Sequence, residues 1–329
     1  MTTTVLVTGV GGFVGGHVVE QLLTRTDWRV IGVDSFRHNG HFANLVESTD
    51  HVRDVDRLTA LVHDLTTPFT PRQCDRLDGV DYVVNVASRS SVDQSIDDPV
   101  TLVRNNVDLV LTVLELCRVV RPRRLVHVST DEVYGPGARS SVVDHRPSNP
   151  YAASKAAQVD LVNAYARTYG VPSTVVTSAN MFGERQSRLA FVPKIVRAVL
   201  DGEPVDVHYH GGRPGERRYT YVRNVACWIV DALRQHEDSE HGHLEPVNVV
   251  HHVSLPGQRR ITNDDLAREV ARLLDRPLLH NVVDVTGVRP GYDPTYANLD
   301  VEDPSWAPPV SFDDGLSQTI HWYRDEETT

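Results

Sequence analysis

The chain has 329 residues, enough for one large or two modest domains with a sizeable core. Its 44 acidic against 33 basic residues give a net charge of −11, which argues against non-specific binding to nucleic acid or to an anionic membrane surface. Cys74, Cys117 and Cys227 lie far apart without CxxC spacing, so neither a disulfide framework nor a zinc site is indicated. The sequence shows no charged stretch leading into an apolar one at its start, and no apolar run approaches the roughly 18 residues that span a bilayer. A reducing cytoplasm is the expected compartment.

Thr4 to Gly9 read as a short apolar strand, and Gly9-Val10-Gly11-Gly12-Phe13-Val14-Gly15 leads into a segment whose Val18, Val19, Leu22 and Leu23 repeat at helical spacing. A glycine turn between strand and helix lets a pyrophosphate approach backbone N–H groups at the positive end of the helix, where a Cβ would block it. A second strand, Trp28 to Asp34, ends in a carboxylate about 20 residues beyond the glycines, where such turns place the acceptor for a ribose 2′-hydroxyl. This favours NAD over NADP. Arg37 is near enough to leave a 2′-phosphate open, although Asp34 repels one.

Further strands are predicted at Leu58–Leu65, Asp81–Ala87, Arg124–Ser129 and Ser173–Ser178, with helices between most of them, the longest at Leu102–Val119 and Tyr151–Thr168. Alternation of this kind predicts an α/β fold: a Rossmann-like, doubly wound parallel sheet. After Ser178 the periodicity weakens, and Val225–Leu233 and Pro246–Val250 read as a helix and strand returning to the sheet. The expected division is a dinucleotide-binding domain over 1–178, rejoined by 225–252, and a smaller, mixed α/β substrate lobe from 179–224 and 253–329. Asp325–Thr329 is expected to fray.

The chemistry-bearing residues fall at predicted strand ends: Asp64-Leu65, Ala87-Ser88 and Ser129-Thr130-Asp131-Glu132. In this fold class ligands sit at those ends. Tyr151 and Lys155, four apart on one helix face, place an ammonium beside a phenol, and such an ammonium can lower a phenol's pKa toward neutrality. A lone Tyr and Lys at this spacing is more often a surface helix, and a lone Asp-Glu pair is more often a solvated turn or a helix cap. Their convergence on one crevice reverses both priors. Lysine occurs only at 155 and 194. The histidines at 208, 210, 241, 243, 251 and 252 have no defined ligand spacing, so no metal is expected.

With these motifs in place, the chain resembles the extended short-chain dehydrogenase/reductase family, and within it the dTDP-glucose 4,6-dehydratases. Thr8-Gly9-Val10-Gly11-Gly12-Phe13-Val14-Gly15 is similar to TGxxGFxG, and Ser129 to Gly135 reproduces STDEVYG. Ala179 to Gly183, Arg217 to Val222 and Arg289 to Ala297 resemble further family motifs. The resemblance implies catalysis by Thr130, Asp131, Glu132, Tyr151 and Lys155. It implies tightly bound NAD held by Gly9, Gly12, Phe13, Gly15, Asp34, Asp64, Leu65, Ala87, Asn106, Ser129, Tyr151, Lys155 and Ser178. It also implies a nucleotide-sugar substrate held by Ser90, Thr130, Asn180, Lys194, Arg217, Asn248 and Arg289. Ala87 to Ile96 is likewise similar to a family motif, and in or just beyond these motifs Met181, Arg89, Ser91, Asn224 and Tyr292 depart from the usual residues. Nucleotide-sugar decarboxylation or 4-epimerisation remains the alternative reaction. The Leu102–Val119 and Tyr151–Thr168 helices are the expected homodimer interface.

Overall fold

In the computed structural model, seven parallel strands form one sheet in the order β12-β7-β5-β4-β1-β2-β3. The structure describes residues 2–326 apart from 39, 137–138, 141–143, 240–248, 290, 292, 297 and 300–305. The amino-terminal elements are β1 (Thr4–Thr8), α1 (Phe13–Arg25), β2 (Arg29–Asp34), α2 (Phe42–Thr49), β3 (Leu58–Val62), α3 (Pro71–Arg76) and β4 (Tyr82–Asn85). They continue through α4 (Val92–Asp97), α5 (Pro99–Val120), β5 (Arg124–Thr130), β6 (Arg139–Ser140), α6 (Pro150–Tyr169) and β7 (Ser173–Ser178).

The inner strands are apolar on both faces because helices cover both. On one face α1 and α8 (Val222–Ser239) bury Val18, Leu22, Ile229 and Leu233 against the sheet; on the other, α5 and α6 bury Leu109, Val113, Val159 and Val162. Each long helix has a chemical start and stop. Asp98 caps α5 by accepting from the Thr101 amide at 3.1 Å, Asn149 caps α6 by accepting from Ala152 at 2.8 Å, and a proline follows each cap. Left-handed Arg121 and Gly170 end them.

Beyond β7 come β8 (Asn180–Phe182), α7 (Phe191–Asp201), β9 (Val205–His210), β10 (Arg213–Pro214) and β11 (Glu216–Tyr221), then α8 and β12 (Val250–Leu255). The chain closes with β13 (Arg259–Thr262), α9 (Asn263–Leu273), β14 (His280–Asp284), β15 (Asn298–Leu299) and α10 (Phe312–Glu326). Small sheets β10-β9-β14 and β13-β11-β8 build the lobe around a second core containing Ile195, Leu266, Val270 and Leu316. The returning strand, expected at Pro246–Val250, is seen at Val250–Leu255, where it pairs with β7; residues 246–248 lie outside the described residues. Asp325 and Glu326 are still helical, later than the expected fraying point. Fully buried Asn224 replaces the usual Asp of its motif for a visible reason. It donates to the Val310 carbonyl at 2.8 Å and accepts from the Val310 amide at 3.1 Å, and a carboxylate could not do both.

The turn from β1 into α1 is the tightest point. Gly9 has φ +74°, and a Cβ at Gly15 would run into the Gly9 carbonyl. Gly15→Ala is therefore expected to destabilise the fold by about 1–3 kcal/mol and to yield protein without bound dinucleotide, checked by thermal melting and by the 260/280 nm absorbance ratio.

Candidate active site

A cavity of about 650 Å³ runs along the carboxyl ends of the sheet strands and joins most of the residues singled out in the sequence. At one end lie Gly9, Gly12, Phe13 and Gly15. Gly12 caps α1 without a side-chain hydrogen bond, so no side chain competes for the helix's first N–H groups. Asp34 accepts from the amides of Gly11 at 2.9 Å and Phe36 at 2.8 Å, and burial pushes its carboxyl above the usual range. Arg37 is paired with Asp64 at 3.4 Å, which favours a plain ribose hydroxyl at this end. Leu65, Ala87, Ser129 and Ser178 also line the cavity, and Ser129 Oγ is buried with no protein partner. A glycine cradle, a carboxylate beside it and an orphaned hydroxyl fit a dinucleotide. Asn106 acts one layer back. It accepts from the Arg89 amide at 2.9 Å and donates to the Arg89 carbonyl at 3.0 Å, which holds the 88–90 loop against the cavity.

At the other end β5 delivers Thr130 and Glu132 beside Tyr151 and Lys155 of α6. Thr130 Oγ1 accepts from the Glu132 amide at 3.3 Å and is hydrogen-bonded to Tyr151. Burial, then the charge of neighbouring Glu132, raises Asp131 to about 7, against the pull of Arg217. Burial also raises Glu132, opposed by Arg217, Asn149 and Tyr296. Glu132 lines the cavity; Asp131 does not, and its half-buried carboxyl is electrostatically coupled to both Glu132 and Tyr151.

The expected partnership of phenol and ammonium takes a different form. Burial, and after it Glu132 and Asp131, push the Tyr151 phenol far above its usual value. Burial brings the Lys155 amine down to about 7, and the amine donates to the Val128 carbonyl and to Gln158 Oε1, each at 2.8 Å. The helix spacing put both groups on one face; it carried no information about the buried acceptors that claim the amine or about the negative charge facing the phenol.

The expected substrate residues divide. Ser90 and Asn180 line the cavity, and Asn180 Nδ2 is buried without a protein partner. Arg217 does not line it. Its guanidinium donates to the carbonyls of Glu216 and Pro294 at 2.9 Å and Asp293 at 2.7 Å, and stacks 4.3 Å over Tyr296, because a planar fork suits adjacent carbonyls as well as a phosphate. Lys194 is exposed on α7. Arg289 pairs with Asp93 and meets His208 Nδ1 at 3.1 Å, so Lys194, Arg289 and His208 share one side of the lobe. Asn248 and Tyr292 lie outside the described residues.

Two cavity residues come from a place the sequence reading did not consider, the carboxyl-terminal helix. Trp322 Nε1 donates to Glu47 Oε1 of α2 at 2.6 Å, and the Tyr323 hydroxyl donates to the Gln186 carbonyl at 2.5 Å. Phe312, Leu316, Ile320 and Tyr323 give α10 an apolar side at helical spacing, but nothing in the sequence marks the cavity it meets.

Asn149 serves two sites. Besides capping α6, it sends Nδ2 to Glu132 Oε2 at 3.4 Å. Asn149→Ala is expected to cost about 1 kcal/mol of stability in a thermal melt. It should also raise the pKa of Glu132 further, moving any acidic limb of the pH–rate profile to higher pH.

A doubly wound parallel sheet with a glycine turn at its head and a Thr/Glu/Tyr/Lys set at the far end of the same cavity defines a Rossmann-type dinucleotide-dependent enzyme. The sequence profile of the NAD dependent epimerase/dehydratase family matches residues 5–249, and the chain belongs to that family. It is 29% identical to a dTDP-glucose 4,6-dehydratase of Xanthomonas campestris over 98% of this chain and 93% of that one. It is 28% identical to a trifunctional UDP-glucose 4,6-dehydratase/3,5-epimerase/reductase of Arabidopsis thaliana, covering 97% of this chain but spanning 46% of that longer relative. Among solved structures, the dTDP-glucose 4,6-dehydratase of Streptomyces venezuelae, with NAD bound, superposes with a TM-score of 0.82 at 29% identity, covering 99% of this chain and 98% of the other. The UDP-glucose 4-epimerase of Thermus thermophilus, also with NAD, gives 0.79 at 27%, covering 98% and 99%.

Proposed function

We propose that the chain is an NAD-dependent nucleotide-hexose 4,6-dehydratase, a hydro-lyase that converts dTDP- or UDP-glucose to the 4-keto-6-deoxy sugar. The observation that carries this reading is the pair of adjacent acids at the end of β5 with Asp131 held near 7, so that one carboxyl keeps its proton close to neutrality. Elimination across C5 and C6 needs a second base and an acid, whereas moving a hydride at C4 alone needs only the one base that takes the C4 hydroxyl proton. Bound NAD supplies a hydride acceptor and later donor, and in its oxidised form a positive ring that favours the phenolate.

Tyr151 takes the proton of the C4 hydroxyl, which Thr130 orients, and Lys155 holds the nicotinamide ribose. Oxidation at C4 acidifies the hydrogen on C5. Glu132 removes it while Asp131, by turning from its place beside Glu132 into the cavity, protonates the departing C6 hydroxyl, and water leaves. After hydride reaches C6, Glu132 returns the proton to C5. Asn180, with its unpartnered amide nitrogen, and Ser90 hold the sugar end of the substrate. Lys194, Arg289 and Arg217 form the cationic side for the diphosphate, the last by releasing its carbonyl partners.

Incubation of the holoenzyme with dTDP-glucose, UDP-glucose and UDP-glucuronate, followed by mass spectrometry, tests the reading. Loss of one water, with deuterium from solvent at C5, is the expected result. Loss of carbon dioxide from the glucuronate, or an isomer of unchanged mass, would instead mark the chain as a decarboxylase or a 4-epimerase. The open outer faces of α5 and α6, with Arg104, Asp108, Ala153 and Asp160 exposed, support a homodimer through these helices, measurable by sedimentation. No helix among the described residues is long and apolar enough to cross a membrane. That and three free cysteines are consistent with a cytoplasmic enzyme.

A further inference from the structure

One buried polar side chain stands between the reactive lysine and the helix behind it, and no motif in the sequence includes it. Gln158 lies one turn after Lys155 on α6 and is fully buried. Its Oε1 accepts from Lys155 Nζ at 2.8 Å, and its Nε2 donates to the Asn106 carbonyl of α5 at 2.6 Å. A glutamine amide cannot be rotated to swap these roles without setting donor against donor at Lys155, so the carbonyl end is fixed toward the amine. The second acceptor, the Val128 carbonyl, comes from the sheet. Two of the three ammonium donors are thus assigned by the protein, and the third is left for the cavity that Lys155 lines.

We propose that Gln158 is the positioning residue of Lys155, holding the amine in both its direction and its charged form. The inference rests on the reading of Lys155 as part of the site. The physical basis is that Lys155 is almost fully buried, which favours the neutral amine, and a carbonyl dipole aimed at the nitrogen favours the ammonium. The titratable groups around the amine are few. His127 on β5, itself fully buried, feels the lysine's charge; Tyr151 shares the helix face; and Asp131 and Glu132 act on Tyr151. Among the described residues none of these is hydrogen-bonded to Lys155, and Gln158 and the Val128 carbonyl are its hydrogen-bond acceptors. Asn106 then has a second task, because its backbone anchors Gln158 while its side chain holds the Arg89 loop.

The chain's composition makes the test direct. With lysine only at 155 and 194, protein labelled with 15N at lysine gives two side-chain signals, and Lys194→Arg assigns them. Titration of the Lys155 signal in the NAD-loaded protein needs no substrate. Gln158→Leu is expected to lower the Lys155 midpoint by about one unit, through loss of the acceptor. Gln158→Glu, nearly identical in shape, is expected to raise it by about two units by placing a charge where the carbonyl was. Opposite displacements in the two variants establish the role, because a merely structural defect would not reverse sign. Midpoints that stay put, or move together, overturn it, and Gln158→Glu decides alone if the leucine variant does not fold. Failure of the dehydratase reading would show in the product masses and leave this titration untouched.

Discussion

Tyr151→Phe is expected to lower kcat by about 10²–10⁴-fold, with the melting temperature and the bound NAD content close to those of the unaltered protein. Phenylalanine keeps the ring that packs at the head of α6 and removes only the hydroxyl, whose hydrogen bond is to Thr130 in the cavity wall. The loss should appear in the first half-reaction, as absence of the transient NADH absorbance when nucleotide-sugar is mixed with enzyme in a single turnover. The phenol of this structure is a weak acid, pushed up by burial and by two carboxyls. The chemistry thus depends on positive charge near the hydroxyl, and the apparent pKa of the oxidation step should lie well below that of the protein without cofactor. A variant that oxidises substrate at nearly the normal rate would take Tyr151 out of the reaction.

Asp131→Asn should separate the two halves of the reaction. Oxidation at C4 is retained, elimination falls by about 10²–10⁴-fold, and NADH builds up rather than passing through. Asp131 titrates near 7 and acts while protonated, so the dehydration rate of the unaltered enzyme should decline as pH rises through about 7. That limb should disappear in the asparagine variant. The same group makes a stability prediction of definite sign. Its folded pKa lies above the ordinary aspartate value of 3.8, so the folded state binds the proton more tightly. The stabilisation is complete below about pH 4 and is lost as pH rises through about 7. Asparagine has no proton to lose, so the variant should melt about 2–4 °C above the unaltered protein at about pH 8, and this advantage should shrink at about pH 5. A melting difference that does not change with pH would mean that Asp131 is not held in its protonated form.

Most of the framework was legible because it rests on local rules. Alternating apolar runs, glycines and helix caps are properties of neighbouring residues, and the strands from Thr4 to Ser178 appear within a few positions of where periodicity puts them. The cavity wall made by Gly9, Asp34, Ala87 and Thr130 follows from those strand ends, and Tyr151 joins it from the capped start of α6. What escaped the sequence is the partner choice of long polar side chains. Arg217 looks the same in a sequence whether it faces a phosphate or the carbonyls of Asp293 and Pro294, and Lys155 the same whether its amine points at a phenol or at Gln158. Those choices depend on segments some 75 residues away for Arg217, a distance that periodicity does not cover. Asp131 and Glu132 are adjacent in sequence, yet one lines the cavity and the other does not, a difference set by the tight turn after β5.

The bond from Trp322 to Glu47 has a consequence for assembly. The cavity is bounded by the glycine turn at Gly9 and Gly12 and by Trp322 and Tyr323 of α10, elements far apart in sequence, so its wall is complete only when α10 docks against α2. Refolding yields of loaded protein are therefore expected to track the docking of that helix rather than the formation of the glycine turn.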